Sequence, residues 1–262
     1  MENNKKIIFF DIDGTLHDPS VGVIESTQKG IRLLLENGHI PVICTGRTRS
    51  MISKELTDLG FLGIIAGAGT YVEYEGKVIH HSVLKAKSDN EFLKFLKKNN
   101  VNYVVEGPDY VYYDPTDMSV EYEMVKDVVR SFYASNVKPL PEDEYYYNKY
   151  SINYNMNDDI KNIVPYLEER FDLICHGTFI ELMQKGYNKA VGISKMIEYL
   201  NIKKENTYAF GDSTNDLEML EFVEYGIAMG NSYEAVLEKA KYKTKSILDD
   251  GIYYGLKEFN LI

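Results

Sequence analysis

Tryptophan is missing from this chain, and cysteine occurs only twice, as Cys44 and Cys175. Two cysteines so far apart make neither a zinc-type spacing nor a disulfide framework. Both sit in apolar runs and read as buried thiols, so the fold must rest on an ordinary apolar core. No window approaches the ~18 uninterrupted apolar residues of a membrane helix. The start is polar and its short apolar run ends in two acids, which is not the layout of a signal peptide. A cytoplasmic protein is expected. Basic residues are in deficit, 29 against 40 acidic ones, for a net charge of −11. That excludes an extended nucleic-acid surface. It also gives an anionic ligand no help from the global field. A phosphate site here has to be made positive locally, by a cation, by Lys or Arg, or by helix N-termini. No repeat at solenoid spacing and no low-complexity tract is visible. With 262 residues the chain suits one large domain or two modest ones.

The most informative stretch is Ile7-Ile8-Phe9-Phe10-Asp11-Ile12-Asp13-Gly14-Thr15-Leu16. Four apolar residues in a row predict a strand buried on both faces. The run stops at two carboxylates one residue apart. Residues i and i+2 of a strand share a face, so Asp11 and Asp13 are expected to project together from its carboxyl end, where open α/β sheets bind ligands. Gly14 allows a tight turn there. Close carboxylates repel unless neutralised, and a hard divalent cation such as Mg²⁺ would do so. One carboxylate can then serve as nucleophile and the other as general acid and base. Asp-rich turn chemistry at a strand end is the plainer alternative.

The chain then reads as strand, helix, strand, helix, strand: a helix starting near Asp18 or Ser20 and ended by Gly38, a strand Ile40 to Cys44, a helix with Met51, Ile52, Leu56 and Leu59 inward, and a strand Leu62 to Ala66. This rhythm predicts a doubly wound, mostly parallel sheet in an α/β fold. Tyr71–Tyr74 and Lys77–Ile79 form a hairpin. From about Leu84 the pattern changes to mixed strands and helices, among them a helix over 119–132, a strand near 150–156 and a helix over 157–171. Ser88 with Glu91 has the form of a capping box. Residues 84–182 are therefore expected as an inserted α+β domain, with 1–83 and 183–262 forming the core domain. Most tyrosines of the insert are expected to pack it.

Three further sites stand at strand ends or helix starts. Thr45, followed by Gly46 and Arg47, ends the second strand. Its hydroxyl can bond a phosphate oxygen, or it can simply cap a helix. Lys189 falls in the first turn of a helix capped by Asn188, where its charge opposes the macrodipole. A nearby anion or carboxylate cluster would explain that placement, with Lys185 as the competing residue. Gly211-Asp212-Ser213-Thr214-Asn215-Asp216 closes a fourth apolar strand and again puts carboxylates at its carboxyl end.

Taken together, these motifs resemble the haloacid dehalogenase superfamily. Asp11-Ile12-Asp13-Gly14-Thr15-Leu16 resembles its first motif, Thr45 its second, Gly186 to Lys189 its third, and Gly211 to Asp216 its fourth. The insert between the second and third is similar to that of the Cof-type, subclass IIB phosphatases with a type 2 cap. The resemblance implies hydrolysis of phosphate monoesters of small metabolites, sugar phosphates among them, through an aspartyl-phosphate. It implies Asp11 as nucleophile and Asp13 as acid and base. Mg²⁺ would be bound by Asp11, Asp13 through its carbonyl, and Asp212, with Asp216 or Asn215 orienting ligands. Thr45, Gly46, Arg47, Lys189 and Asn215 are implied at the phosphate or substrate. Relatives usually carry Asn-Gly-Ala where this chain has Gly67-Ala68-Gly69. Phosphoryl transfer to a sugar, as in phosphomutases, and a catalytically silent sensor remain the rival expectations.

Overall fold

The structure is a computed structural model that describes residues 5–116, 136–153, 160–176 and 179–262. The chain divides into two compact units, one made of 1–46, 54–81 and 188–262, the other of 47–53 and 82–187.

The first unit is built on strands β1 (Ile7–Phe10), β2 (Ile40–Cys44), β3 (Gly63–Ala66), β4 (Tyr71–Tyr74) and β5 (Lys77–His81). The second unit supplies β6 (Leu84–Lys87), β7 (Asn102–Glu106), β8 (Val111–Tyr113), β9 (Val137–Pro139), β10 (Glu144–Tyr147), β11 (Lys149–Asn153), β12 (Phe171–Cys175) and β13 (Phe179–Gln184). The chain then returns for β14 (Thr207–Gly211), β15 (Tyr225–Ala228) and β16 (Tyr242–Lys243).

The eight-stranded sheet of the first unit has the order β16-β15-β14-β1-β2-β3-β4-β5. From β16 to β3 all pairs are parallel, and β4 and β5 close the edge as an antiparallel hairpin. β1 is central and buried along its whole length, as a strand covered on both faces must be. Alternate residues serve opposite faces. Ile7 and Phe9 join Val42, Cys44 and Ile65 in a core closed by Ile193 and Met196 of the helix Lys189–Leu200 and Met219 of the helix Leu217–Phe222. On the other face the Phe10 and Phe210 rings stack at 5.3 Å, near the helix Gly251–Glu258. Each fully buried Ile or Phe contributes about 1.5–3 kcal/mol. Helices on both faces make this the doubly wound, mostly parallel α/β arrangement.

The second unit is α+β. Its six-stranded sheet runs β12-β13-β11-β7-β8-β9, antiparallel except for β8 with β9. A separate antiparallel pair joins β6 and β10. One face carries Tyr103, Val105, Tyr150, Ile152, Ile180 and Leu182 against Leu93, Leu96, Ile163 and Leu167. Tyr103, Tyr145 and Tyr150 are buried there. Tyr103 donates to Asp114 at 2.6 Å, and the Tyr145 and Tyr150 hydroxyls bond each other. The opposite face is charged yet buried: Lys149 lies between Glu106 and Glu181, and Ser151 donates to Glu106. Thr48 and Ser50 lie along it, donating to Glu106 and to the Gly107 carbonyl. Met51 packs against Val104 and Val111.

Several elements differ from expectation. The first helix spans Glu25–Glu36 rather than starting near Asp18. Asp18 closes a turn with Gly22 instead, and its carboxylate accepts from the Ser20 N–H. The helix after β2 shrinks to a 3₁₀ turn, Arg49–Met51, and one α turn, Lys54–Thr57. Asn90, not Ser88, caps the helix Glu91–Lys98, accepting from the Leu93 N–H. Ser88 donates to the Glu142 carbonyl. The expected helix over 119–132 and residues 154–159 of the expected strand and helix lie outside the described residues.

Candidate active site

The site lies at the carboxyl ends of β1 and β14, neighbours in the sheet. β1 stops at Phe10, and the chain coils at once: the Leu16 N–H donates to the Asp11 and Ile12 carbonyls, and the His17 N–H to that of Ile12. The turn ends the strand periodicity at Phe10, and Asp13 stays near enough to raise the Asp11 carboxyl. Asp11 is buried and Asp13 exposed. Gly14 adopts a φ of 82°. A Cβ there would stand 2.3 Å from Asp212 Oδ2, so only glycine lets the turn pass beneath that carboxylate. Thr15 Oγ1 donates to Asp212 Oδ1 at 2.9 Å.

Asp11, Asp212 and Asp216 are all buried, and each offers an oxygen within 4.8 Å of the others'. Lys189 enters this cluster from the helix whose N-cap is Asn188, the Asn188 side chain accepting from the Val191 N–H at 3.0 Å. The Lys189 Nζ donates to Asp11 Oδ1 at 2.6 Å and to Asp216 Oδ1 at 2.5 Å. Lys185, the competing residue, is exposed. The other oxygen of Asp216 accepts from the Asp212 and Ser213 N–H groups at 2.9 and 3.0 Å. Asp216 is thus engaged on both sides, clamping Lys189 to the turn after β14.

The electrostatics are lopsided. Burial raises the Asp11 carboxyl well above the ordinary range, against the pull of Lys189, and Asp216, Asp13 and Asp212 raise it further. Burial, then Asp216, pushes Asp212 up to about 7, despite the Thr15 hydrogen bond. Burial alone would lower the Lys189 ammonium, but Asp11 and Asp216 outweigh it and hold the proton firmly. One lysine faces four carboxylates, so the cluster is short of positive charge. An all-oxygen, carboxylate-rich donor set of this kind suits a hard divalent cation, and the residues present fit one.

Thr45 is buried one residue past Cys44, on the strand paired with β1. Its N–H donates to the Ile65 carbonyl, and its carbonyl accepts from Ala68. Cys44 is itself near enough for Lys189, Asp216 and Asp11 to act on its thiol, though burial, which pushes the thiol up, dominates. Asn215 is half-buried and its Oδ1 accepts from Ser213 at 2.6 Å. Gly46 is buried in the first unit, and Arg47 is buried in the second. Thr15 has no part in the sequence expectations, although it stands directly after the Asp11-to-Gly14 turn. Its hydroxyl, one residue beyond a glycine at a strand end, was the available signal.

The sequence model of the haloacid dehalogenase-like hydrolases matches residues 8–256. The chain is 32% identical to "Putative phosphatase YkrA" of Bacillus subtilis (strain 168), with 99% of each chain covered. The crystal structure of a hypothetical protein from Geobacillus kaustophilus HTA426 superimposes with a TM-score of 0.83 at 32% identity, over 98% of this chain and 100% of that one. The subclass IIB sugar phosphatase BT4131 gives a TM-score of 0.80 at 25% identity, with 98% and 100% covered. Among the described residues, no helix is long and apolar enough to cross a membrane.

Proposed function

The chain belongs to the haloacid dehalogenase-like hydrolases, as an enzyme of their phosphatase group, and we propose that it hydrolyses phosphate monoesters of small metabolites by way of a phosphorylated Asp11. The observation that carries this reading is the meeting of Asp11, Asp212, Asp216 and Lys189 in one buried cluster. Sugar phosphates and related compounds are the substrates we favour, by likeness to the sugar phosphatase above.

Asp11, Asp212 and the Asp13 carbonyl would hold Mg²⁺. The bound ion would neutralise the carboxylates and polarise a phosphoryl oxygen. Lys189 fixes Asp11 Oδ1, and the second oxygen of Asp11 attacks phosphorus. The bond from phosphorus to the leaving oxygen breaks as the carboxylic acid of Asp13 protonates that oxygen. Asp13, now a carboxylate, takes a proton from a water whose oxygen attacks the phosphorus. The bond to Asp11 breaks, and inorganic phosphate leaves. Lys189 and Thr45 bind the phosphoryl oxygens as negative charge moves between them. Asp216 keeps Lys189 aimed, and Gly46, Arg47 and Asn215 would add substrate contacts. We place the substrate-selecting function in the inserted second unit.

The test is phosphate release from p-nitrophenyl phosphate and a panel of phosphometabolites. Asp11→Asn should abolish turnover, and mass spectrometry of rapidly quenched wild-type protein should find a phosphoryl group on the peptide bearing Asp11. Near wild-type rates in Asp11→Asn would remove it as nucleophile.

A further inference from the structure

A third segment, the turn after β15, is laced to both strand ends that build the site. The Met229 N–H donates to the Gly211 carbonyl at 2.9 Å, and the Tyr233 N–H to the Asp212 carbonyl at 3.2 Å. Between them, Asn231 Nδ2 donates to the Gly14 carbonyl at 2.8 Å. Asn231 Oδ1 accepts from the Ile247 N–H, also at 2.8 Å. A side-chain amide offers both donors and an acceptor, and this one uses its two ends on two separate loops. Asn231 is exposed, where holding a side chain at both ends costs rotamer entropy for a small net gain per bond. Such a bridge is a modest stabiliser, and its location is what distinguishes it.

Gly14 directly follows Asp13. Asp11 is held by burial and by Lys189, and the exposed Asp13 projects from the turn that Gly14 continues. That turn is anchored on one side where Thr15 donates to Asp212. On the other side its Gly14 carbonyl is held by Asn231. We infer that Asn231 is a positioning residue for Asp13: through the Gly14 carbonyl it fixes the turn from which Asp13 delivers its proton to the leaving oxygen. The inference rests on the acid role proposed for Asp13 and adds to it a side chain from a third segment.

Leaving-group dependence provides the test. A nitrophenolate leaves without a proton, while a sugar alkoxide needs one, so a displaced acid harms alkyl phosphates selectively. Measured as kcat/KM at saturating Mg²⁺, Asp13→Asn should slow an alkyl phosphate by roughly 10²–10⁴-fold and p-nitrophenyl phosphate far less. Asn231→Ala removes both bonds. Asn231→Asp keeps an acceptor for the Ile247 N–H and loses the donor to Gly14. Each should slow the alkyl phosphate by roughly 10- to 100-fold, with p-nitrophenyl phosphate within about threefold. In metal-free protein, amide hydrogen exchange over residues 12–17 should quicken in both variants, at a nearly unchanged melting temperature. If Asp13→Asn is selective and the Asn231 variants slow both esters equally, or neither, this inference fails while the mechanism stands. If Asp13→Asn itself shows no selectivity, the acid assignment fails, and the role of Asn231 with it.

Discussion

Lys189 carries more of the site's balance than any other side chain. It is fully buried and paired with two carboxylates. Removing one partner of a buried ion pair strands the other's charge, at a cost of about 3–5 kcal/mol. Lys189→Met, which keeps the length and loses the charge, should destabilise the metal-free protein by about that much at neutral pH, measured by urea denaturation. It should also lower kcat on the order of 10²-fold or more, because the donor proposed for the phosphoryl oxygens is gone. A stability change within about 0.5 kcal/mol would show that the pair is not what holds these acids. Asp11, Asp13, Lys189 and Asp212 were legible as candidates because each is a charged residue placed against local preference, at the end of an apolar run or in the wrong turn of a helix. What each one touches was not legible. That Asp216 spends both oxygens on Lys189 and two backbone N–H groups, and that Asn231 reaches Gly14 across 217 residues, are facts of long-range geometry that no local pattern encodes.

The helix Lys189–Leu200 can reach the acids because two glycines let backbones meet. A Cβ on Gly192 would lie 2.4 Å from Ile65 Cγ2 and 2.9 Å from the Gly69 Cα. A Cβ on Gly69, whose φ is 92°, would lie 2.4 Å from the Asn188 carbonyl oxygen. The loop Gly67-Ala68-Gly69 after β3 is therefore where the first turn of the helix sits. Gly192→Ala must push the helix away from β3. The expected loss is about 1–3 kcal/mol, as for other overpacked sites, read from denaturant midpoints. A roughly tenfold or larger fall in kcat should accompany it, as Lys189 withdraws from Asp11. Full activity in Gly192→Ala would mean that the approach of this helix does not set the lysine's position. At this scale the sequence was a good guide to strands, whose apolar runs are bounded by turn residues. It was a poorer guide to helix starts. Asp18 and Ser88 have the composition of caps but bond elsewhere, and competing turn and side-chain bonds of this kind are invisible in a linear pattern.

For the molecule as a whole, the doubly wound sheet was legible because strand and helix periodicities alternate cleanly. The grouping of residues 47–53 with the second unit was not, since it depends on Met51 meeting Val104 and Val111, more than 50 residues away. Charge is also a property of the whole chain. At −11 overall, the protein gathers Asp11, Asp212 and Asp216 at one buried point, and folding without a cation has to bear that cost. The sign follows from linkage. In the folded protein burial and Asp216 push Asp212 up to about 7 from an ordinary 3.8, and Asp11 is raised as well. Between about pH 4 and pH 7 the folded metal-free protein therefore binds protons that the unfolded chain has released, and its stability falls as pH rises across that window. Above it the penalty is complete. A divalent cation binds the ionised carboxylates and competes with those protons, so its stabilising effect must grow over the same window. Melting temperatures measured with and without Mg²⁺ should differ little at about pH 5 and clearly at about pH 8. Asp212→Asn should flatten the pH dependence of the metal-free protein and shrink the Mg²⁺ shift together, because one carboxylate is responsible for part of both. An equal Mg²⁺ shift at the two pH values would place cation binding away from the raised carboxylates and remove Asp212 as a ligand of the ion.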